Sequence, residues 1–231
     1  MSCLTALLRE AFMQFIESSI IGVRSAVLTF RQPGSPMRFL LVPMLHVAEQ
    51  AFYDQVSERL RECDLIVAEG QPYADLPLHR RLARIRADGL VHQLVGLEVE
   101  SLDIPVLWPD EDDETKPARW LNIVIDTVAA VPDWLMAIRW PGRAIDITDL
   151  TGHDGWAGGR AKTAWRRAIL HDRDKQLLDC LARIHQERGK EPITVGVPWG
   201  AAHMIAVAGY LFSELGYRVV AAEWLNVRTA R

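Results

Sequence analysis

The sequence has few cysteines, no excess of basic residues and no long apolar run, and each shortage argues against a class of protein. Its three cysteines lie far apart without a CxxC pair, which argues against a disulfide scaffold and a thiolate zinc site. Reduced thiols in a cytoplasmic protein are the expectation. With 26 basic and 30 acidic residues, the chain lacks the positive field that gathers nucleic acid. Its most apolar segment, 200–215, is shorter than the about 20 residues that span a bilayer.

The composition is otherwise that of a globular protein with a substantial core. Of its 231 residues, 49% are hydrophobic and 24% are charged, and no linker rich in Gly, Ser or Pro divides the chain. We therefore predict a single domain over residues 1–231. Most of the eight tryptophans fall in or beside residues 71–160, which we predict to be a helical, Trp-rich central insert that lines or covers a crevice.

Strand-like and helix-like segments alternate along the chain. Apolar β-like runs occur at 25–30, 38–42, 64–68, 104–107, 193–197 and 217–222. Helical spacing occurs at 47–61, 160–188 and 201–215, and also among apolar residues from Leu4 to Ile16, which predict an amphipathic N-terminal helix. This alternation predicts an α/β fold with a central mixed, largely parallel sheet flanked by helices.

Two segments of the chain resemble each other. Residues 42–69 and residues 197–223 each read as a strand with Val-Pro, a histidine, a helix and a second strand ending in Ala-Glu. The histidines are His46 and His203, and the glutamates are Glu69 and Glu223. Ligands of open α/β sheets bind at the carboxyl ends of the strands, so two such degenerate units predict that these four side chains converge.

Two imidazoles with one or two carboxylates suit two kinds of chemistry. They are ligands for Zn²⁺, Mn²⁺ or Co²⁺, and they equally suit general acid–base catalysis without a metal. We predict His46, His203 and Glu69 as metal ligands, with Glu69 as the alternative general base. Glu49, about one helical turn after His46, is a weaker candidate for orienting that ring, and Glu223 is also a weaker candidate.

Four short motifs occur in an order that resembles the TraB/GumN and TIKI family, which is related to erythromycin-esterase-like and ChaN-like folds. They are Pro-Met-Leu-His at 43–46, Val-Ala-Glu at 67–69, Asp-Arg-Asp at 172–174, and Gly-Ala-Ala-His at 200–203 followed by Gly-Tyr at 216–217. The resemblance covers residues 38–70 and 170–227 and leaves 71–160 unmatched. Pro43 stands where the first motif has glycine, and proline offers no N–H.

The resemblance implies a metal-dependent hydrolase that acts on a peptide, ester or amide bond of a small-molecule or peptide substrate, because TIKI members are described as metalloproteases. It also implies an alternative, since ChaN-like relatives bind haem. That alternative is a non-catalytic or regulatory module for haem, metal or peptide. Within the matched motifs, Arg173 is a candidate for stabilising an oxyanion or binding a substrate carboxylate, and Asp174 is a weaker candidate site residue.

Overall fold

A computed structural model describes residues 14–70, 89–109 and 160–229, and within the last range the side chains from Arg173 onward. Most of the predicted Trp-rich insert lies outside these residues, as does most of the predicted N-terminal helix. The part of the chain that carries the two strand–His–helix–strand segments is described in full.

The described elements follow one another as strands and helices of unequal length. The strands are β1 Ile16–Ser19, β2 Gly22–Arg31, β3 Arg38–Met44, β4 Val47–Glu49, β5 Leu65–Val67, β6 Leu90–His92, β7 Val106–Leu107, β8 Thr194–Gly200 and β9 Arg218–Thr229. The α-helices are α1 Gln50–Leu60, α2 Gln93–Gly96, α3 Arg160–Arg188 and α4 Met204–Ser213. Short 3-10 turns lie at Val99–Leu102 and Ala201–His203.

Seven of the strands form one mixed, partly parallel sheet, which confirms the predicted α/β class. β3, β8, β5 and β7 lie side by side in parallel, with β8 between β3 and β5. β2 runs antiparallel to β3, and it also pairs with β1 and, along its whole length, with β9. β4 and β6 form a separate antiparallel pair.

Helices cover both faces of the sheet, because apolar side chains alternate along its strands. In β3, Phe39 and Leu41 join the core under α3 and α4, whereas Val42 and Met44 join the core under α1. In β8, Gly196 lies on the α1 face, where a Cβ would come within 2.9 Å of a Leu60 methyl carbon and 3.0 Å of the Cys63 sulfur. Glycine there lets α1 pack closely on the sheet.

Long-range strand pairing overrides several local predictions. The chain around Ile16 forms β1 and not the end of a helix, because it pairs with β2, and the Ala26 N–H donates to the Phe15 carbonyl. The helix predicted from residue 47 begins at Gln50, since Val47–Glu49 pairs with β6. β9 extends beyond its predicted end because β2 supplies partners as far as Thr229.

The two helices that flank the site differ in length and character. α3 covers the predicted span 160–188, and from Leu177 onward its apolar side chains pack on the sheet. α4 is short and largely apolar, and it follows the 3-10 turn Ala201–His203. Among the described residues, no helix has both the length and the apolar character needed to cross a membrane.

The anchoring of α3 can be tested with Leu177→Ala. Leu177 is fully buried one turn after Arg173 and Asp174, so its truncation should lower the free energy of unfolding by about 3 kcal/mol. Lys175→Ala is the matched control, because Lys175 is exposed on the same helix and pairs with the exposed Asp179. Urea denaturation would measure the free energy of unfolding of both variants, and that of the control should stay within about 0.5 kcal/mol of the wild type. A similar loss in both variants would contradict this packing.

Candidate functional site

A polar cluster lies at the carboxyl ends of three parallel strands. His46 follows β3, Glu69 follows β5, and His203 closes the 3-10 turn after β8. α3 adds Arg173 and Asp174 from the helix face that packs against this end of the sheet. The position is the crevice in which open α/β sheets bind their ligands.

Asp174 and His203 form a hydrogen-bonded pair. The Nδ1 atom of His203 lies 2.7 Å from Oδ1 of Asp174, and the imidazole side chain is only 5% exposed. A carboxylate only accepts hydrogen bonds, so Nδ1 carries a proton, and in the neutral form of the ring Nε2 is an acceptor. Nε2 lies 3.7 Å from Oε1 of Glu69, beyond hydrogen-bond length. The ring is thus oriented with its basic nitrogen toward Glu69.

Glu69 is a buried carboxylate whose two oxygens both have partners. Arg173 Nη2 lies 2.8 Å from Oε1, and the backbone N–H of Gly200 donates to Oε2 at 2.7 Å. Burial raises the pKa of Glu69, but the charges of Arg173, His203 and His46 and the Gly200 hydrogen bond together outweigh it. The net effect is a pKa below the ordinary value of 4.5, so the side chain is ionised at neutral pH.

Arg173 connects α3 to the end of β5. Its guanidinium pairs with Glu69 and also donates to the Gly70 carbonyl oxygen at 3.2 Å. The same group lies over the indole of Trp199, with Cζ 5.4 Å from the ring centroid. The guanidinium is therefore held against the sheet by three contacts to sequence-distant residues.

Gly200 is a glycine because Glu69 comes close to it. A Cβ at this position would lie 3.2 Å from Oε2 of Glu69 and 3.6 Å from Cδ2 of His203. Its φ of −49° is open to any residue, so close approach is the reason for glycine and backbone conformation is not. Pro43 occupies the corresponding motif position in β3, lies beside Trp199 in the sheet, and accepts a hydrogen bond from Ser25 through its carbonyl oxygen.

His46 stands apart from the Asp174–His203 pair. Its side chain is exposed, and its ring stacks at 6.3 Å on that of His92, with an angle of 10° between the planes. The His92 Nδ1 accepts the Leu94 N–H at 3.2 Å. His46 still lowers the pKa of Glu69, so it lies within electrostatic range of that carboxylate. His92 was not predicted, because it lies in a segment that matches neither half of the internal similarity.

Glu49 and Glu223 have partners elsewhere. The Glu49 carboxylate accepts from the Thr229 N–H at 3.2 Å, which ties the start of α1 to the end of β9. Glu223 forms a bidentate ion pair with Arg59 of α1. The prediction that Glu223 ends a strand is wrong, because β9 continues to Thr229. The convergence predicted for four side chains therefore does not include Glu223.

The predicted metal ligands do not form a ready coordination site. No group of three His, Cys, Asp or Glu side chains among the described residues is arranged to hold a metal ion. Both Glu69 oxygens are engaged, so a cation there would compete with Arg173 and the Gly200 N–H. Coordination by His46, His203 and Glu69 would require these contacts to rearrange.

Comparisons of the chain with protein-family models, with curated proteins and with solved structures found no match. The resemblance to the TraB/GumN and TIKI family therefore stays a prediction from four short motifs. The geometry of the cluster is the firmer basis for a function.

The pH dependence of stability tests the buried charge of Glu69. A folded-state pKa below 4.5 means that the stabilisation is complete above that pH and is lost as the pH falls through the folded-state pKa. Glu69→Gln should cost about 3 kcal/mol at neutral pH, because it removes the buried negative charge that pairs with Arg173. Urea denaturation at several pH values should show this difference from the wild type shrinking below pH 4.5. A difference that is constant with pH would contradict an ionised Glu69.

Proposed function

We propose that the protein is a hydrolase that cleaves a peptide, ester or amide bond with His203 as its general base. The observation that carries the proposal is the 2.7 Å contact between Asp174 and the Nδ1 atom of His203, which makes Nε2 the acceptor in the neutral form of the ring. A base held in one tautomer by a carboxylate partner is the arrangement that acid–base hydrolysis needs.

In the proposed reaction, Nε2 of His203 removes a proton from a water molecule as the water oxygen attacks the substrate carbonyl carbon. The carbonyl π electrons move to the oxygen and form a tetrahedral oxyanion. When this intermediate collapses, the bond to the leaving nitrogen or oxygen breaks, and the imidazolium returns its proton to the leaving atom. The products are a carboxylic acid and an amine or alcohol.

Glu69 and Arg173 support this cycle electrostatically. The ionised Glu69 lies 3.7 Å from Nε2 and stabilises the imidazolium that forms there, together with Asp174 on the opposite side of the ring. Arg173 keeps Glu69 ionised. Because both oxygens of Glu69 have partners, we assign the role of general base to His203.

The Asp174–His203 pair is tested by Asp174→Asn. An asparagine amide can donate to Nδ1, which would move the proton to Nε2 and remove the base. We expect kcat to fall about 1,000-fold with KM little changed. The assay would use a panel of p-nitrophenyl esters and peptidyl p-nitroanilides.

Asp179→Asn is the matched control for this variant, since Asp179 is exposed on the same helix and pairs with Lys175. It should keep wild-type kcat. His203→Gln should lose as much activity as Asp174→Asn, and combining the two changes should add little further loss, because the residues act as one unit. Wild-type kcat in Asp174→Asn would reject the assignment.

A metal-dependent form of this hydrolase, which the family resemblance implies, stays a prediction with Zn²⁺, Mn²⁺ or Co²⁺ as the candidate ions. The engaged oxygens of Glu69 favour the metal-free form. We therefore expect protein treated with EDTA and dialysed against metal-free buffer to retain its activity. Elemental analysis of untagged protein is the parallel measurement. Activity that disappears with EDTA and returns with one of these ions would favour the metal-dependent form.

The second candidate is a non-catalytic binding or regulatory module for haem, metal or a peptide. The observation that favours it is the ion pair that occupies Oε1 of Glu69, which gives Arg173 and Glu69 a structural role without any reaction. Two measurements, hydrolysis and ligand binding, separate the candidates. A binding module would hydrolyse none of the substrate panel and would still show a ligand-dependent rise in Tm with haem, metal ions or peptides.

A further inference from the structure

We propose that Trp199 is a positioning residue that sets the placement of His203 and Arg173 relative to Glu69. Trp199 directly precedes the Gly200–His203 motif, and its side chain is fully buried at the end of β8. Its effect on catalysis rests on the proposed function, whereas its effect on the resting geometry of the site does not.

The indole is fixed to the strand that carries Glu69. Its Nε1–H donates to the Val67 carbonyl oxygen at 3.0 Å, two residues before Glu69. The backbone pairing of β5 with β8 runs only through Leu65 with Val195 and Ile66 with Gly196. The indole hydrogen bond therefore continues the connection between the two strands beyond the end of their ladder, at the level of the site.

The same indole contacts two of the groups that act on Glu69, His203 and Arg173. The His203 ring lies 5.3 Å away at 86°, in an edge-to-face arrangement, and the Arg173 guanidinium lies 5.4 Å from the indole centroid. One rigid ring thus borders the imidazole and the guanidinium. Because the ring is fully buried and its Nε1–H is bonded to Val67, we infer that the size and tilt of the indole set the separation of the two groups.

Bulk packing alone does not require this arrangement. Any large apolar side chain would fill the core beneath α3 and α4, but only tryptophan combines a wide ring with an N–H donor that reaches Val67. Phenylalanine would keep a ring and lose the hydrogen bond. Leucine would lose the flat surface that the guanidinium and the imidazole contact.

The test compares Trp199→Phe with Phe39→Leu. Phe39 is equally buried in the same core, but it lies at the amino end of β3, opposite to the site. Both variants should lose stability. We expect only Trp199→Phe to shift the His203 imidazole ¹⁵N and Nδ1–H signals in NMR spectra of the resting protein, and to reduce kcat by up to about 100-fold with little change in KM.

The two readouts separate this inference from the proposed function. A shift of the His203 signals in Trp199→Phe alone supports positioning even if the wild type hydrolyses no substrate, in which case the proposed function fails by itself. His203 signals like those of the wild type in Trp199→Phe would overturn the inference. Equal shifts in both variants would overturn it as well, because they would show a general response to core truncation.

Discussion

The negative charge of Glu69, buried at the end of β5, is the constraint on which the rest of the site depends. A buried carboxylate is costly unless it is paired and hydrogen-bonded. The pairing is supplied by Arg173 from α3 and by the Gly200 N–H from the end of β8. A Cβ at Gly200 would crowd this carboxylate, at 3.2 Å from its Oε2. The charge of Glu69 therefore fixes how α3 and the ends of β5 and β8 are positioned relative to one another.

The two strands and the helix that surround Glu69 are well packed. β5 and β8 are central parallel strands with buried side chains, and α3 is anchored by residues such as Leu177 and Leu181 directly after its two site residues. Trp199 links β8 to β5 through its hydrogen bond to the Val67 carbonyl oxygen. The proposed base thus sits in a short 3-10 turn directly between β8 and α4, and these elements hold its side chain more closely than a surface loop would.

Much of the fold and part of the site could be predicted from local sequence. Short apolar runs between helical spacings indicated the strands of the central sheet and the long helix 160–188, and the strand-end positions of His46, Glu69 and His203 followed from the βαβ pattern. Glu223 shows the limit of this reasoning. It matches the motif of Glu69, but pairing with β2 extends its strand and places its carboxylate against Arg59.

Local sequence by itself determined the α/β class and the residue types available at the strand ends, because periodicity and the order of motifs depend only on neighbouring residues. Only the tertiary structure decided which side chains became partners at the site. It paired His203 with Asp174 across 29 residues and Glu69 with Arg173. It also placed the Trp199 indole against both His203 and Arg173. Such choices depend on which strands lie side by side and on the need to satisfy a buried charge, and neither is encoded in a short segment of the chain.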